Sequence, residues 1–497
     1  MRNSIKIQLQ IGDIAIENIE INPQCRDEIP QILLGLQALY KDEVTREKIF
    51  QILQKLKPKD VNTDIGRPGM YLWNIFVIAT FKLTNNIDYD KLHNLCNEHK
   101  TLRLMLGHSA FDDKRYSLQT LKDNIKLFTP EIISEINAVV VKKAHKDMGL
   151  PTDAEINARC DSVHVPTNVH FPTDINLLFD AIRKIIILIM NISGDFSLKG
   201  WREGASHIRK VKNTLRKIQI TKHSTSKNEK KREEKKVAIK AIYEFYLELA
   251  ADIMEKAEAS ISDLKATSNT NLLEIINEIE KFIAHAKRQK DQINRRVLKG
   301  ETIPHNEKIF SLFEEYTEWL CKGKAGVLQV LGLNVCIITD QHGFILEHIV
   351  MQKETDSNVA VKIVKNAQEN FSNIISCSFD KGFHSPQNQI DLATILEKVF
   401  LPKKGKLSEA RKEIEYSPEF LDARKAHSKV EGSIGCLVNH GLDICRDRGI
   451  DGFKRHIAFA MTARNIQHLG NIIRQKELKK LKRATKKRKL NLARQAA

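Results

Sequence analysis

Three acidic residues, Asp161, Asp380 and Glu431, stand in local contexts that suit phosphodiester chemistry. Asp161 lies in Ala158-Arg-Cys-Asp-Ser-Val-His-Val165, a short run rich in β-formers towards its end and followed by Pro166 and Pro172. Asp380 closes the apolar run Ile374–Phe379, and Gly382 lets the chain turn sharply just beyond it. Glu431 falls on a helical pattern in which Arg424, His427 and Glu431, spaced by three and four, share one face. In-line attack on a phosphodiester is well served by two divalent cations roughly 3.5–4 Å apart, one for the attacking oxygen and one for the leaving oxygen. Magnesium is hard, keeps several waters and takes few protein carboxylates, so three acids from separate segments meet its needs.

Each acid taken singly has an ordinary explanation. A strand-terminal Asp before Gly is commonly a turn former, and a helical Arg/His/Glu face is commonly an ion-pair ladder. Asp340 competes with Asp161 as first acid because it follows a cleaner apolar strand, but it stands beside a turn, where capping is the usual role. His164 and His170 read as packing or DNA-contact residues, since magnesium prefers oxygen.

The elements that must position these acids alternate in character. Residues 28 to about 125 read as helices, with an Arg67–Met70 turn. The patterns Tyr71–Leu83 and Tyr89–Leu106, joined by a short polar connection, suit a helix-turn-helix with Lys100, Arg103 and Lys114 close by. A strand over 158–165 follows. Long helices return from Ile175 to about Lys299, with a polar, basic tip at 222–236. Residues 309–320 read as helix. Strands are then expected at 334–339 and 344–350 around an Asp340–Gly343 turn, at 374–379 and at 399–401, with helices at 359–371 and 386–398. With the long helical stretch removed, strand, strand, strand, helix, strand, helix, strand, then helices is the order of an RNase H-like α/β core.

The chain's 497 residues exceed what one hydrophobic core organises, so several domains are expected. A content of 42 % hydrophobic and 29 % charged residues is that of a folded chain. The formal net charge of +18 draws the protein to a polyanion. Nucleic acid is favoured over a membrane, because the most apolar stretches fall short of the roughly 20 residues a spanning helix needs. No secretory signal is read at residues 1–13. Eight scattered cysteines without a CxxC pair fit reduced thiols and no zinc ribbon. Lys403, Lys404 and Lys406 follow the last strand at the mouth of the expected site, where they suit the DNA backbone. Residues 476–489 form a dense basic tail, read as a DNA-clamping helix, a solvated tail or a nuclear signal.

The blocks Cys160–Asp174, Phe379–Pro386 and His427–Glu431 together resemble the three acid-bearing blocks of bacterial insertion-sequence transposases of the DDE type, and within them the ISNCY-like group. Leu401–Lys406, Thr317–Ala325, Gly452–Arg455, Ala463–Asn465, Gly66–Gly69 and Lys100–Arg103 resemble further family blocks, so the likeness spans about residues 60–475. It departs from related families around the last acid, with His427 in place of their Arg and Val438 in place of their Lys. The resemblance implies that Asp161, Asp380 and Glu431 bind Mg2+, with Mn2+ as a substitute, and that Arg424, His427, Lys403, Lys404 and Lys406 touch DNA. It implies a homodimer acting on double-stranded element ends and target DNA in a prokaryotic cytoplasm, at the nucleoid. The expected fold is an α/β chain with a helical N-terminal domain (1–130), an RNase H-like core (150–174 and 301–470), a helical insertion (175–300) and a basic tail (471–497). A transposase-derived DNA binder without cleavage, and an RNase H-like nuclease without strand transfer, are the alternatives.

Overall fold

The computed structural model describes residues 2–6, 12–57, 69–109, 111–223, 228–267, 269, 272–321 and 329–496, with side chains as far as 488. The turn at 67–70, the blocks at 66–69 and 317–325 and the basic tip at 222–236 fall partly outside them. The fold is mixed α/β, and the chain divides into two compact units, one of Met1–Asn168 with Leu320–Ala497 and one of Val169–Trp319.

The first unit begins with helices α1 (Ile29–Lys41), α2 (Glu43–Gln54), α3 (Leu72–Thr84), α4 (Tyr89–Glu98), α5 (Lys100–Met105), α6 (Leu118–Ile125) and α7 (Pro130–Met148). Local chemistry sets the ends of α7: Thr129 caps its first turn, Pro130 occupies the first position and Gly149 is left-handed at the C-terminus. Every residue of α3 is buried, so this helix is core rather than surface. The single helix expected over 89–106 breaks at His99, whose ring accepts from Leu102 N and starts α5. Arg103 is used internally, donating to the Asp112 and Lys114 carbonyls.

The sheet is assembled from β1 (Ile156–Pro166), β2 (Glu318–Cys321), β3 (Gln329–Thr339), β4 (Ile345–Met351), β5 (Ile374–Phe379) and β6 (Lys398–Phe400). Its order is β2-β3-β1-β5-β6, with β4 also paired to β3. β1 is central, antiparallel to β3 and parallel to β5, and β5 is parallel to β6. Between β4 and β5 lies α12 (Asp356–Asn370), and between β5 and β6 lies α13 (Pro386–Ile395). The helix expected over 309–320 is absent: Phe310 packs on Trp319, Phe313 on Phe282, and Glu318-Trp-Leu-Cys321 is strand β2. Helical periodicity there reflected an aromatic cluster, not a helix.

After the sheet come α14 (Glu409–Glu415), α15 (Pro418–His427), α16 (Lys429–Leu437) and the 48-residue α17 (Gly449–Ala496). The front half of α17 buries Phe453, Ile457, Phe459, Ile466 and Leu469 against α1, α3 and α7. A close approach to α1 depends on glycine, since a Cβ at Gly470 would lie 1.8 Å from the Gln31 carbonyl. Asn465 ties α17 to α7 and β4: its amide donates to Asn137 Oδ1 and the Ile345 carbonyl, and its oxygen accepts from Ile345 N. The basic segment after 471 continues α17, with exposed or half-buried side chains over 472–488.

The second unit is helical: α8 (Asp174–Ser193), α9 (Gly204–His223), α10 (Glu229–Ala266) and α11 (Leu273–Ile293) enclose their own core of Leu178, Ile182, Ile185, Tyr246, Ala250 and Ile279. Trp201 Nε1 donates to Ser260 Oγ and Tyr246 OH to the Ile175 carbonyl, so the buried polar ends of these large side chains are satisfied.

Candidate functional site

The parallel β1–β5 ladder pairs Cys160 with Phe379. One step further along both strands stand Asp161 and Asp380, the latter still extended at φ −76° and ψ 160°. Neighbouring strands lie about 4.8 Å apart and laterally paired residues share a face, so the two carboxylates are side by side. Asp161 is half-buried, and Ser162 N donates to its Oδ1 at 2.7 Å. Burial raises its pKa to about 6; the Ser162 amide opposes this, and the negative charges of Asp380, Asp356 and Glu431 add to it.

Glu431 reaches this cluster from α16, which packs on β1. The helix expected to carry Arg424, His427 and Glu431 together is interrupted at Ser428, so Arg424 and His427 end α15 and Glu431 starts α16. Ser428 keeps helical dihedrals, with its carbonyl accepting from Glu431 N, and the shared face survives the break. A cleft of about 200 Å³ is lined by Asp380, Lys381, Arg424, His427, Ser428 and Glu431 among others. His427 Nδ1 and Ser378 Oγ share a hydrogen bond of 3.0 Å, anchoring α15 to β5 two residues before Asp380. Burial, helped by the Arg159 guanidinium, holds the His427 pKa below its usual value against the pull of Asp380 and Glu431. The ring is neutral at neutral pH.

The loop after β6 brings part of the expected basic set to the same turn. Lys404 Nζ donates to the Gly382 carbonyl at 3.2 Å, and Lys403 N donates to Glu415 Oε1 at 2.8 Å. Both lysines help lower the pKa of His384, with burial and Arg411 ahead of them. Lys406 is exposed.

Residues read as competitors have other partners. Asp340 is fully buried, with Oδ2 2.6 Å from His145 Nε2 and Oδ1 accepting from His342 N and Phe344 N, so it caps its own hairpin. His164 hydrogen-bonds Asn334, and His170 pairs with Asp180 inside the helical unit.

Three residues escaped the sequence reading. Arg159 is a buried cation two residues before Asp161, within reach of His427. Asn388 donates to the Ser357 and Phe383 carbonyls at 2.7 and 2.8 Å, joining the start of α12 to the turn after Asp380. Asp356, the first residue of α12, belongs electrostatically with Asp161. A helix-opening Asp reads in sequence as a dipole partner, and only the strand register shows what it faces.

The donor set is all carboxylate oxygen, which is what a hard cation takes. Asp356 Oδ1 is buried without a hydrogen-bond partner, and a Cβ at Gly382 would sit 2.8 Å from Asp356 Oδ2. The residues present therefore fit a divalent cation. Among the described residues no three His, Cys, Asp or Glu side chains close on one point tightly enough to cage a single ion. The acids form an open cluster, compatible with an ion that keeps waters and substrate oxygens. A larger groove, about 970 Å³, belongs to the helical unit and is lined by Phe171, Ile220, Phe310 and Trp319 with Lys222 and Arg296 at hand. Its lining holds one carboxylate, Asp174, and no cluster of them. No helix among the described residues is long and apolar enough to cross a membrane. No protein-family model, curated protein or solved structure matches the chain.

Proposed function

We propose that the chain is a DDE-type DNA transposase with an RNase H-like catalytic core, acting on the terminal inverted repeats of an insertion sequence. One observation carries the proposal: Asp161 and Asp380 stand side by side one step beyond a paired Cys160 and Phe379, with Glu431 near enough to raise the Asp161 pKa. The order of strands and helices around them supports it, as does the position of the helical unit between β1 and β3 in the chain.

Asp161, Asp380 and Glu431 would hold two Mg2+ ions, which supply Lewis-acid help to the attacking and leaving oxygens. The chain's own residues do the rest. In the cleaving step water attacks the phosphorus at the element end and the 3′-hydroxyl leaves; in the joining step that hydroxyl attacks a target phosphodiester and a target 3′-hydroxyl leaves. Arg424 lines the cleft and positions a backbone phosphate. His427, neutral and fixed by Ser378, presents a hydrogen-bonding edge without adding charge. Lys403, Lys404 and Lys406 hold the backbone at the rim, and two copies of the chain would bring two ends together.

The test uses the full chain, Mg2+ and duplexes ending in the inverted repeats that flank its coding region. Wild-type protein is expected to nick the element end and to join a precleaved end to target DNA. Asp380→Asn should lose nicking by on the order of 10³-fold, as when one preorganised electrostatic element is removed, while still binding the duplex. Wild-type nicking by Asp380→Asn would refute the assignment; nicking without joining would mark a nuclease instead.

A further inference from the structure

Asp356 has the wrong surroundings for the role its sequence position suggests. A first-turn Asp normally gives its oxygens to backbone N–H groups or to water. Here Oδ1 is shut off from solvent and has no hydrogen-bond partner. Oδ2 lies against the backbone of Gly382, 2.8 Å from where a side chain would begin, so a Cβ at 382 would push the carboxylate aside. Asn388 clamps the two segments together, bonding the Ser357 carbonyl on one side and the Phe383 carbonyl on the other. Phe383 is fully buried and fixes the short turn that runs from Asp380. The local architecture thus presses one carboxylate towards the others, although like charges repel and a buried oxygen without a donor is costly. A cation among them would relieve both.

We infer that Asp356 is a fourth cation-holding carboxylate, joining Asp161, Asp380 and Glu431, and that Gly382 and Asn388 are the residues that position it. The inference rests on the reading of this cluster as a divalent-cation site and extends it from three acids to four. The fourth acid arrives from α12, so the cation site is built from β1, α12, the end of β5 and α16.

Binding of Mn2+ alone to the full chain, without DNA, tests this by the loss of the free-ion electron paramagnetic resonance signal at pH 7.5. Asp356→Asn is expected to raise the Mn2+ dissociation constant at least about tenfold, the scale seen when groups supporting a metal site are removed. Gly382→Ala, which keeps all four acids but puts a Cβ against the Asp356 carboxylate, should weaken binding in the same direction. Asp391→Asn, on α13 and bonded to Gln387, should leave the isotherm unchanged. Circular dichroism melts report folding, and Asp356→Asn should melt no lower than wild type in the absence of metal, because it removes a repelling charge. If Asp356→Asn and Gly382→Ala bind Mn2+ like wild type while Asp380→Asn does not, the fourth acid is wrong and the three-acid site stands. If wild-type protein shows no saturable Mn2+ binding, the reading beneath falls with it.

Discussion

The charge on Asp161 is the residue-level quantity on which the site turns. Its carboxyl has a folded pKa of about 6 against an ordinary 3.8, because burial and three neighbouring acids disfavour the anion and the single Ser162 amide does not offset them. The folded state therefore binds this proton more tightly than the unfolded chain does. The group's contribution to stability is fully present below about pH 4, falls as pH rises towards 6, and is a constant deficit above that. A rise from 3.8 to about 6 bounds the deficit at about 3 kcal/mol, at 1.36 kcal/mol per pKa unit. Asp161→Asn has no such proton to lose. In metal-free urea titrations, the variant should gain stability relative to wild type between pH 4 and pH 7, and the gain should shrink when Mg2+ is added to the wild type at pH 7.5. A stability difference that stayed flat across that range would mean that Asp161 stands apart from the other acids. Cleavage should likewise fall away below about pH 6, where a proton competes with the cation for Asp161.

At the scale of elements, helix packing supplies a test in which two effects of known sign oppose. Ala is a better helix former than Gly by about 1 kcal/mol, so Gly470→Ala on an open surface would stabilise α17. In this fold its Cβ would lie 1.8 Å from the Gln31 carbonyl and 2.9 Å from Gly35 N, both backbone atoms that cannot rotate away. Overpacking typically costs about 1–3 kcal/mol and occasionally more, and a clash with two backbone atoms falls at the upper end. The variant should melt lower than wild type; an equal or higher melting temperature would show that α1 and α17 are not packed as described. Sequence made some elements plain and hid others for physical reasons. β5 was legible because Ile374–Phe379 is an unbroken apolar run between turn formers, and α8–α11 because their apolar stripes repeat over many turns. Strand β2 was not, since Phe310, Phe313 and Trp319 mimic helical spacing while stacking on one another and on Phe282. The break at Ser428 leaves helical dihedrals on both sides and so leaves no compositional mark. Asp161, Asp380 and Glu431 were nominated from local context and a family likeness, but their adjacency depends on β1–β5 register, which no local pattern encodes. Asp356 needed both the register and the Gly382 contact.

For the whole molecule, the deciding property is where the +18 charge is concentrated. Residues 476–489 carry nine Lys or Arg and one Glu, and the structure continues them as the distal part of α17. Over residues 476–488 the described side chains form no apolar stripe long enough to pack: Leu481 is 41 % exposed, and Lys480 bonds back to Glu477 one turn earlier. Cations spread around a helix anchored at its other end by a buried core suit a long polyanion better than a compact anion, because successive turns meet successive phosphates. Each phosphate neutralised contributes a slope of about −0.9 to the dependence of log K on log salt for duplex DNA. A chain ending after Arg474 should therefore bind duplex DNA more weakly and with a salt slope shallower by several units, whatever the DNA sequence. The Asp380→Asn protein should keep the full slope, since its change removes an acid at the cleft and no cation. If truncation lowered affinity without changing the slope, the tail would be acting through folding rather than through phosphates, and the melting temperature of the truncated chain would show the loss directly.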